Sequence, residues 1–216
     1  AVSHRQHALL NGRGQLRASL TFEQYLTSRM IAEPLRAADC CLITDGAGAF
    51  VMTAMDRARD CSKRPVRVLG TGFASAPVTG DSVFTQGSCL TAMPGAAEAA
   101  RRAFACARLG PKDVDFAEVY GCFSISCLLQ LEDTGLCRKG EAGCFIQDGG
   151  IAPGGPLPVN THGGFLAYSY RLGIEHVTEA VRQLRHEAGR AQVPDAEIGL
   201  VTGLSMPDFG VLLLGR

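Results

Sequence analysis

The chain has no apolar run approaching the ~20 residues that a membrane-spanning helix needs. It has no surplus of either charge. The 21 lysines and arginines balance 21 aspartates and glutamates, so the electrostatic footprint of a nucleic-acid or anionic-membrane binder is missing. Nine cysteines, at 40, 41, 61, 89, 106, 122, 127, 137 and 144, form no Cys-x-x-Cys pair and no Cys/His ligand spacing. An odd count in a chain rich in core residues speaks against a disulfide scaffold. The expectation is a reducing, cytoplasmic compartment and no metal site. Gly70-Thr71-Gly72 lacks the third glycine and the later acid of a dinucleotide loop, and reads as close packing around a strand. No repeat or low-complexity segment is present. An initiator methionine is missing too, and the opening Ala1-Val2-Ser3-His4 reads as mid-domain sequence rather than a signal peptide. That opening suggests a fragment or one half of a split protein, and no role falls to His4 or His7.

What is present is a core. Apolar residues make up 46% of 216 positions, enough for one large or two small domains. Thr21–Ala32 carries a helical signal with Thr21 as cap, and the small apolar stretch Gly46–Ala54 reads as a buried strand. From Val66 the pattern alternates between strand and helix. Strands are predicted at Val66–Phe73, Val114–Val119, Ile198–Gly203 and Phe209–Leu214. Helices are predicted at Leu90–Leu109, Phe123–Asp133 and Phe165–Ala188. Residues 136–160, rich in glycine and proline, read as a loop with at most a short strand near Leu157–Val159. The basic residues after Arg171 alternate with Glu175, Glu179 and Glu187, the pattern of a solvated helix face. The last two strands, joined by a tight turn, give a mixed sheet with an antiparallel edge.

Several stretches, in order, resemble the C-terminal half of the thiolase superfamily, in the branch related to sterol carrier protein x thiolase. They are Asp39-Cys40-Cys41 with Thr44-Asp45-Gly46-Ala47-Gly48-Ala49, then Tyr120-Gly121-Cys122-Phe123, then Leu131–Cys137, Leu157-Pro158-Val159-Asn160, Glu179–Arg185 and Val201-Thr202-Gly203. The resemblance implies an α/β thiolase-like fold with a mixed five-stranded sheet and helices on both faces. It also implies a division into residues 1–63, a remnant of the loop region and last strand of the N-terminal half, and residues 64–216, the C-terminal domain.

The glycine turn Asn160-Thr161-His162-Gly163-Gly164, followed by Phe165–Tyr170, is similar to the segment that carries the thiolase histidine. Here Tyr170 stands in the place of that histidine. The final turn, Gly203-Leu204-Ser205-Met206-Pro207, also lacks the Cys-x-Gly of the second catalytic thiol. The pair Tyr120 and Tyr170 most resembles the thiolase-like aldolases of steroid side-chain degradation, which are often called lipid-transfer proteins. Those cleave β-hydroxyacyl-CoA by a retro-aldol reaction and work with an OB-fold, zinc-ribbon partner.

The resemblance thus implies an acyl-CoA substrate, a homo- or hetero-oligomer and no cofactor beyond the coenzyme A thioester itself. Tyr120 and Tyr170 are the acid–base candidates, because a phenol donates readily to an enolate and serves as a base only with help from its surroundings. Tyr170 is expected in the first turns of the Phe165–Ala188 helix, where the dipole favours phenolate. His162 is placed either as donor to the thioester oxygen or as a loop cap. Asn160 with the amides of Gly163 and Gly164 suits an enolate hole, Cys122 is near enough to reach the substrate, and Tyr168 is assigned to packing. Two further readings stay open: a non-catalytic lipid-transfer or acyl-CoA-binding subunit, and half of an acetyl-CoA acyltransferase. A lone piece of this kind is expected to expose apolar surface and to be poorly stable as a monomer.

Overall fold

A computed structural model describes residues 1–75, 91–205 and 208–216. Leu90, where the second predicted helix would start, the cysteine at 89 and the Met206-Pro207 turn lie outside them. Helix α1 (Val2–Asn11) is followed by α2 (Phe22–Thr27). Thr21 caps α2 through a reciprocal pair: Gln24 N donates to its hydroxyl at 3.2 Å, and Thr21 N donates to Gln24 Oε1 at 2.9 Å. The strands β1 (Met30–Ala32) and β2 (Leu35–Arg36) form a small antiparallel ribbon.

The strand expected over Gly46–Ala54 is not formed. Residues 41–54 run without regular structure, and Ile43, Val51 and Met52 are 97%, 94% and 74% exposed. An apolar, β-branched segment becomes a strand only beside a neighbour that takes its backbone hydrogen bonds. Among the described residues no strand pairs with this one.

After the short helix α3 (Met55–Ala58) come β3 (Arg67–Ser75), α4 (Pro94–Ala107), β4 (Phe116–Glu118) and α5 (Ser124–Asp133). Then follow α6 (Ala142–Gln147), α7 (Gly164–Ala167), α8 (Ile174–Leu184), β5 (Ile198–Ser205) and β6 (Asp208–Gly215). The sheet is ordered β3-β6-β5-β4, with antiparallel pairing except between β4 and β5. Among the described residues it therefore has four strands, where five were expected. Val159 adds only an isolated parallel bridge to Ala117.

Period-two alternation divides the sheet's side chains between two helical layers. Leu200 and Leu213 join Ala99, Ala103 and Leu131 on one face, while Val201 and Leu214 join Phe116, Ala180 and Leu184 on the other. Gly70 and Gly72 let β3 lie directly against α4. A Cβ at Gly72 would collide with the Ala99 carbonyl, and one at Gly70 with that of Ala103.

Two further expectations are corrected. The helix predicted over Phe165–Ala188 is broken: α7 ends at Ala167, and α8 begins only at Ile174. Leu172 and Gly173 adopt left-handed φ of 57° and 93°, which no continuing helix tolerates. The Glu175–Glu179 face of α8 is not solvated either; both glutamates are buried. Glu175 accepts from Arg171 N at 2.8 Å and so closes the break, while Glu179 pairs with Arg182 at 2.8 Å. Paired in this way, the carboxylates tolerate burial.

Candidate active site

Tyr120 lies two residues beyond the end of β4, and its main chain is fixed on both sides. Its N–H donates to Thr202 Oγ1 at 2.8 Å, its carbonyl accepts from Gln130 Nε2 at 2.5 Å, and Thr202 closes the loop by donating to Gln130 Oε1 at 2.6 Å. Tyr170 sits in the break between α7 and α8, where its N–H donates to Thr44 Oγ1 at 3.1 Å. It is therefore not in the first turn of a helix, and no helix dipole acts on it as expected. The two phenol oxygens lie 2.6 Å apart. Burial first, and the bond to Tyr170 second, push the Tyr120 phenol well above the usual tyrosine range, so Tyr120 keeps its proton.

Tyr120 opens on a mainly apolar cleft of about 440 Å³, walled by Phe73, Leu172, Leu204 and Phe209 with the backbone of Gly203 and Gly210. Ser205 and Asp208 stand at its polar rim. Cys122, two residues on, is half-buried with its thiol 3.7 Å from Ser126 Oγ, and it lines neither this cleft nor the second one described below.

The other expected site residues are placed elsewhere. Asn160 is fully buried. Its Oδ1 accepts from Val119 N at 2.7 Å and its Nδ2 faces His4 Nε2 at 3.2 Å, so its carboxamide holds the turn to the end of β4 and to α1. Gly163 and Gly164 are buried with φ of 110° and 58°, and their place in the turn follows from those left-handed conformations. Gly163 N donates to Asn160 O at 2.7 Å, so that amide is already engaged.

His162 also turns away from the phenols. Its Nδ1 lies 2.9 Å from Glu118 Oε2, both groups being essentially sealed from solvent. Its ring borders a second, polar cleft of about 210 Å³ shared with Arg13, Arg171, Glu175, Glu179 and Arg182. The two clefts have no residue in common. Burial alone would lower the His162 pKa; the Glu118 carboxylate, with Glu179 and Glu175 further off, outweighs it, and the net direction is upward. His176, buried beside it, moves well down because of that burial and of His162. Tyr168 packs as expected, its ring centroid 4.9 Å from His162 and 5.7 Å from the Arg171 guanidinium carbon.

Glu118, His162 and His176 bring ligand-type atoms within 4.8 Å of one another. Within the cluster, His162 Nε2 and His176 Nδ1 are buried without a hydrogen-bond partner. His162 Nδ1 faces Glu118 Oε2, Glu118 Oε1 accepts from Thr161 N and Oγ1 at 3.1 and 2.6 Å, and His176 Nε2 lies 3.0 Å from the Val119 carbonyl oxygen. Sequence reasoning missed this cluster, along with Thr202 and Gln130. The one local signal is Glu118 itself, an acid inside the apolar strand Phe116-Ala117-Glu118-Val119.

Residues 76–207 match the family model described as thiolase C-terminal domain-like. The chain belongs to that family. It is 40% identical over 203 residues to an acetyl-CoA acetyltransferase of Methanothermobacter thermautotrophicus, covering 93% of this chain and 52% of that protein. It is 38% identical over 214 residues to the 17-hydroxy-3-oxo-4-pregnene-20-carboxyl-CoA lyase of Mycobacterium tuberculosis, covering 99% of this chain and 55% of the relative. The solved structure of an Ltp2-ChsH2(DUF35) aldolase superposes on all of this chain and 56% of its own, with a TM-score of 0.93 at 35% identity. This thiolase-family chain thus spans about half the length of the curated relatives it matches. Among its described residues no helix is long and apolar enough to cross a membrane.

Proposed function

We propose that this chain is the C-terminal part of a thiolase-like lyase, in which residues 64–216 form the C-terminal domain. Its reaction is retro-aldol cleavage of a β-hydroxyacyl-CoA with a steroid or lipid side chain. The observation that carries the reading is the 2.6 Å contact between the Tyr120 and Tyr170 oxygens beside an apolar cleft.

Retro-aldol cleavage removes a proton from the β-hydroxyl, breaks the Cα–Cβ bond and returns a proton to the enolate carbon. A hydrogen-bonded phenol pair does this as a relay. Tyr170 accepts the hydroxyl proton while passing its own to Tyr120, and Tyr120 donates to the carbon. The pair ends as it began, with both phenols neutral, so no lasting phenolate is required where burial opposes one. No acyl-enzyme forms, and a nucleophilic thiol is unnecessary. The apolar cleft at Tyr120 suits the leaving carbonyl fragment. The lyase of M. tuberculosis and the Ltp2-ChsH2(DUF35) aldolase support this assignment, and with it a hetero-oligomer containing an OB-fold, zinc-ribbon partner.

The acetyl-CoA acetyltransferase relative favours a second reading, half of an acyltransferase, which must work with a phenol at the position of the imidazole. The full-length chain with its natural partner, given a β-hydroxyacyl-CoA and then a β-ketoacyl-CoA with free coenzyme A, separates the two. Cleavage of the first and no thiolysis of the second is expected. Tyr120→Phe and Tyr170→Phe should each lower kcat by about 10²-fold or more. Turnover unchanged in both variants would remove the tyrosines from the mechanism.

A further inference from the structure

The phenols are held from behind by rings. Phe165, in α7 and fully buried, meets Tyr120 edge-on with centroids 4.8 Å apart, and meets Tyr170 at the same distance and a 56° tilt. His176 of α8 stacks on Phe165 at 4.3 Å with the planes 11° apart. His176 in turn meets His162 edge-on at 5.0 Å, and His162 is paired with Glu118. Glu118 and Tyr120 belong to one run of chain, two residues apart. The rings therefore form a closed circuit from Glu118 through His162, His176 and Phe165 back to Tyr120, with Tyr170 added at its last link.

Two of the links are anchored by hydrogen bonds. Glu118 is held by Thr161, and His176 by the Val119 carbonyl. The Phe165 side chain has no polar atom and lines neither of the two clefts described above; its ring contacts those of Tyr120, Tyr170 and His176. A pair that must pass a proton along a short bond is sensitive to displacements of about 1 Å, which cost up to roughly a hundredfold in rate.

We propose that Phe165 and His176 are positioning residues for the Tyr120–Tyr170 pair, setting its separation through this ring stack. The proposal rests on the tyrosine reading above and extends it to residues that touch no substrate.

The test uses full-length protein with its partner and the variants Phe165→Leu, His176→Ala and His176→Phe. The first readout needs no substrate. Ultraviolet titration of phenolate, taken as the difference between each protein and its Tyr120→Phe counterpart, should move toward the ordinary tyrosine range of about 10 in Phe165→Leu and His176→Ala. The second readout is kinetic. In those two variants kcat for β-hydroxyacyl-CoA cleavage should fall about 10- to 100-fold with KM within about threefold, and His176→Phe should recover to within about threefold of wild type.

Wild-type titration and wild-type kcat in folded Phe165→Leu and His176→Ala would overturn the proposal. So would a His176→Phe variant as impaired as His176→Ala, because the ring would then not be what matters. Should Phe165→Leu not fold, the two His176 variants decide. If the wild-type protein cleaves no β-hydroxyacyl-CoA, the lyase reading falls, while the phenol titration still decides the positioning role.

Discussion

The two functional-looking regions of this chain carry their chemistry in reversed places. The groups best suited to proton transfer near neutral pH, imidazoles and carboxylates, are gathered in the sealed cluster of Glu118, His162 and His176. Of the groups least suited to it, two phenols, Tyr120 borders the apolar cleft and Tyr170 contacts it through Tyr120. Intrinsic pKa therefore does not locate a site here; accessibility does. The buried cluster is stabilised by pairing and serves as framework. The phenols are made useful by one short contact and by a cleft that can hold an apolar substrate.

The sharpest way to break this contrast is at Glu118. Glu118→Ala leaves the His162 ring and the Thr161 N–H without their buried acceptor, and should cost about 3–5 kcal/mol. Urea unfolding measures it, and a loss below about 1 kcal/mol would mean the cluster is not structural.

Acidity tests the same contrast next. His7 is depressed from 6.5 to about 4, by burial first, with its bond to the Ile151 carbonyl acting in the opposite sense. His4 and His176 are lowered too, chiefly by burial. A histidine lowered in the folded state contributes stability that is present above its unfolded pKa near 6.5 and is lost as the pH falls. His7 alone should remove on the order of 3 kcal/mol between pH 6.5 and 4. His162 runs the other way: its contribution is complete below about 6.5 and disappears as the pH rises through its raised value. Denaturant midpoints from pH 8 to 4 should therefore fall on the acid side, and His7→Gln should flatten that fall. A flat profile in the wild-type protein would contradict the neutral burial of these rings. Tyr120, raised above the usual tyrosine range, should be silent throughout this window.

The smallest effect is expected at the cleft. Leu172 is 79% exposed, so Leu172→Ser should change the unfolding free energy by no more than about 0.5 kcal/mol. Under the lyase reading it should raise KM for an apolar substrate. A large loss of stability would make this wall part of the framework instead.

Much of this was legible in the sequence where information is local. The alternation after Val66 gave β3, α4, β4, α5, β5 and β6 to within a few residues, and Thr21 was visible as a cap. The family resemblance picked out Tyr120 and Tyr170, which the fold brings to 2.6 Å across 50 residues of chain.

The misreadings share a physical cause. Gly46–Ala54 has strand composition, but pairing depends on a neighbour that composition does not reveal. Glu175 and Glu179 alternate with arginines as a solvated face would, yet their partners Arg171, Ser169 and Thr161 lie inward across the broken helix. The break is signalled only by Gly173, because Leu172 in a left-handed conformation has no sequence mark. His162, Asn160 and the glycines were placed beside substrate because a glycine turn with a histidine fits an oxyanion site. In the fold, Asn160 and His162 also tie that turn to Val119 and Glu118.

The interruption between α7 and α8 also acts as a partition. Tyr168 and Arg171 look into the polar hollow, whereas Leu172 looks into the greasy one and Tyr170 reaches across to Tyr120. Lengthening that strip by a single amino acid would exchange which side chains each chamber sees. Spacing in these few positions, more than their identity, keeps the two compartments chemically distinct.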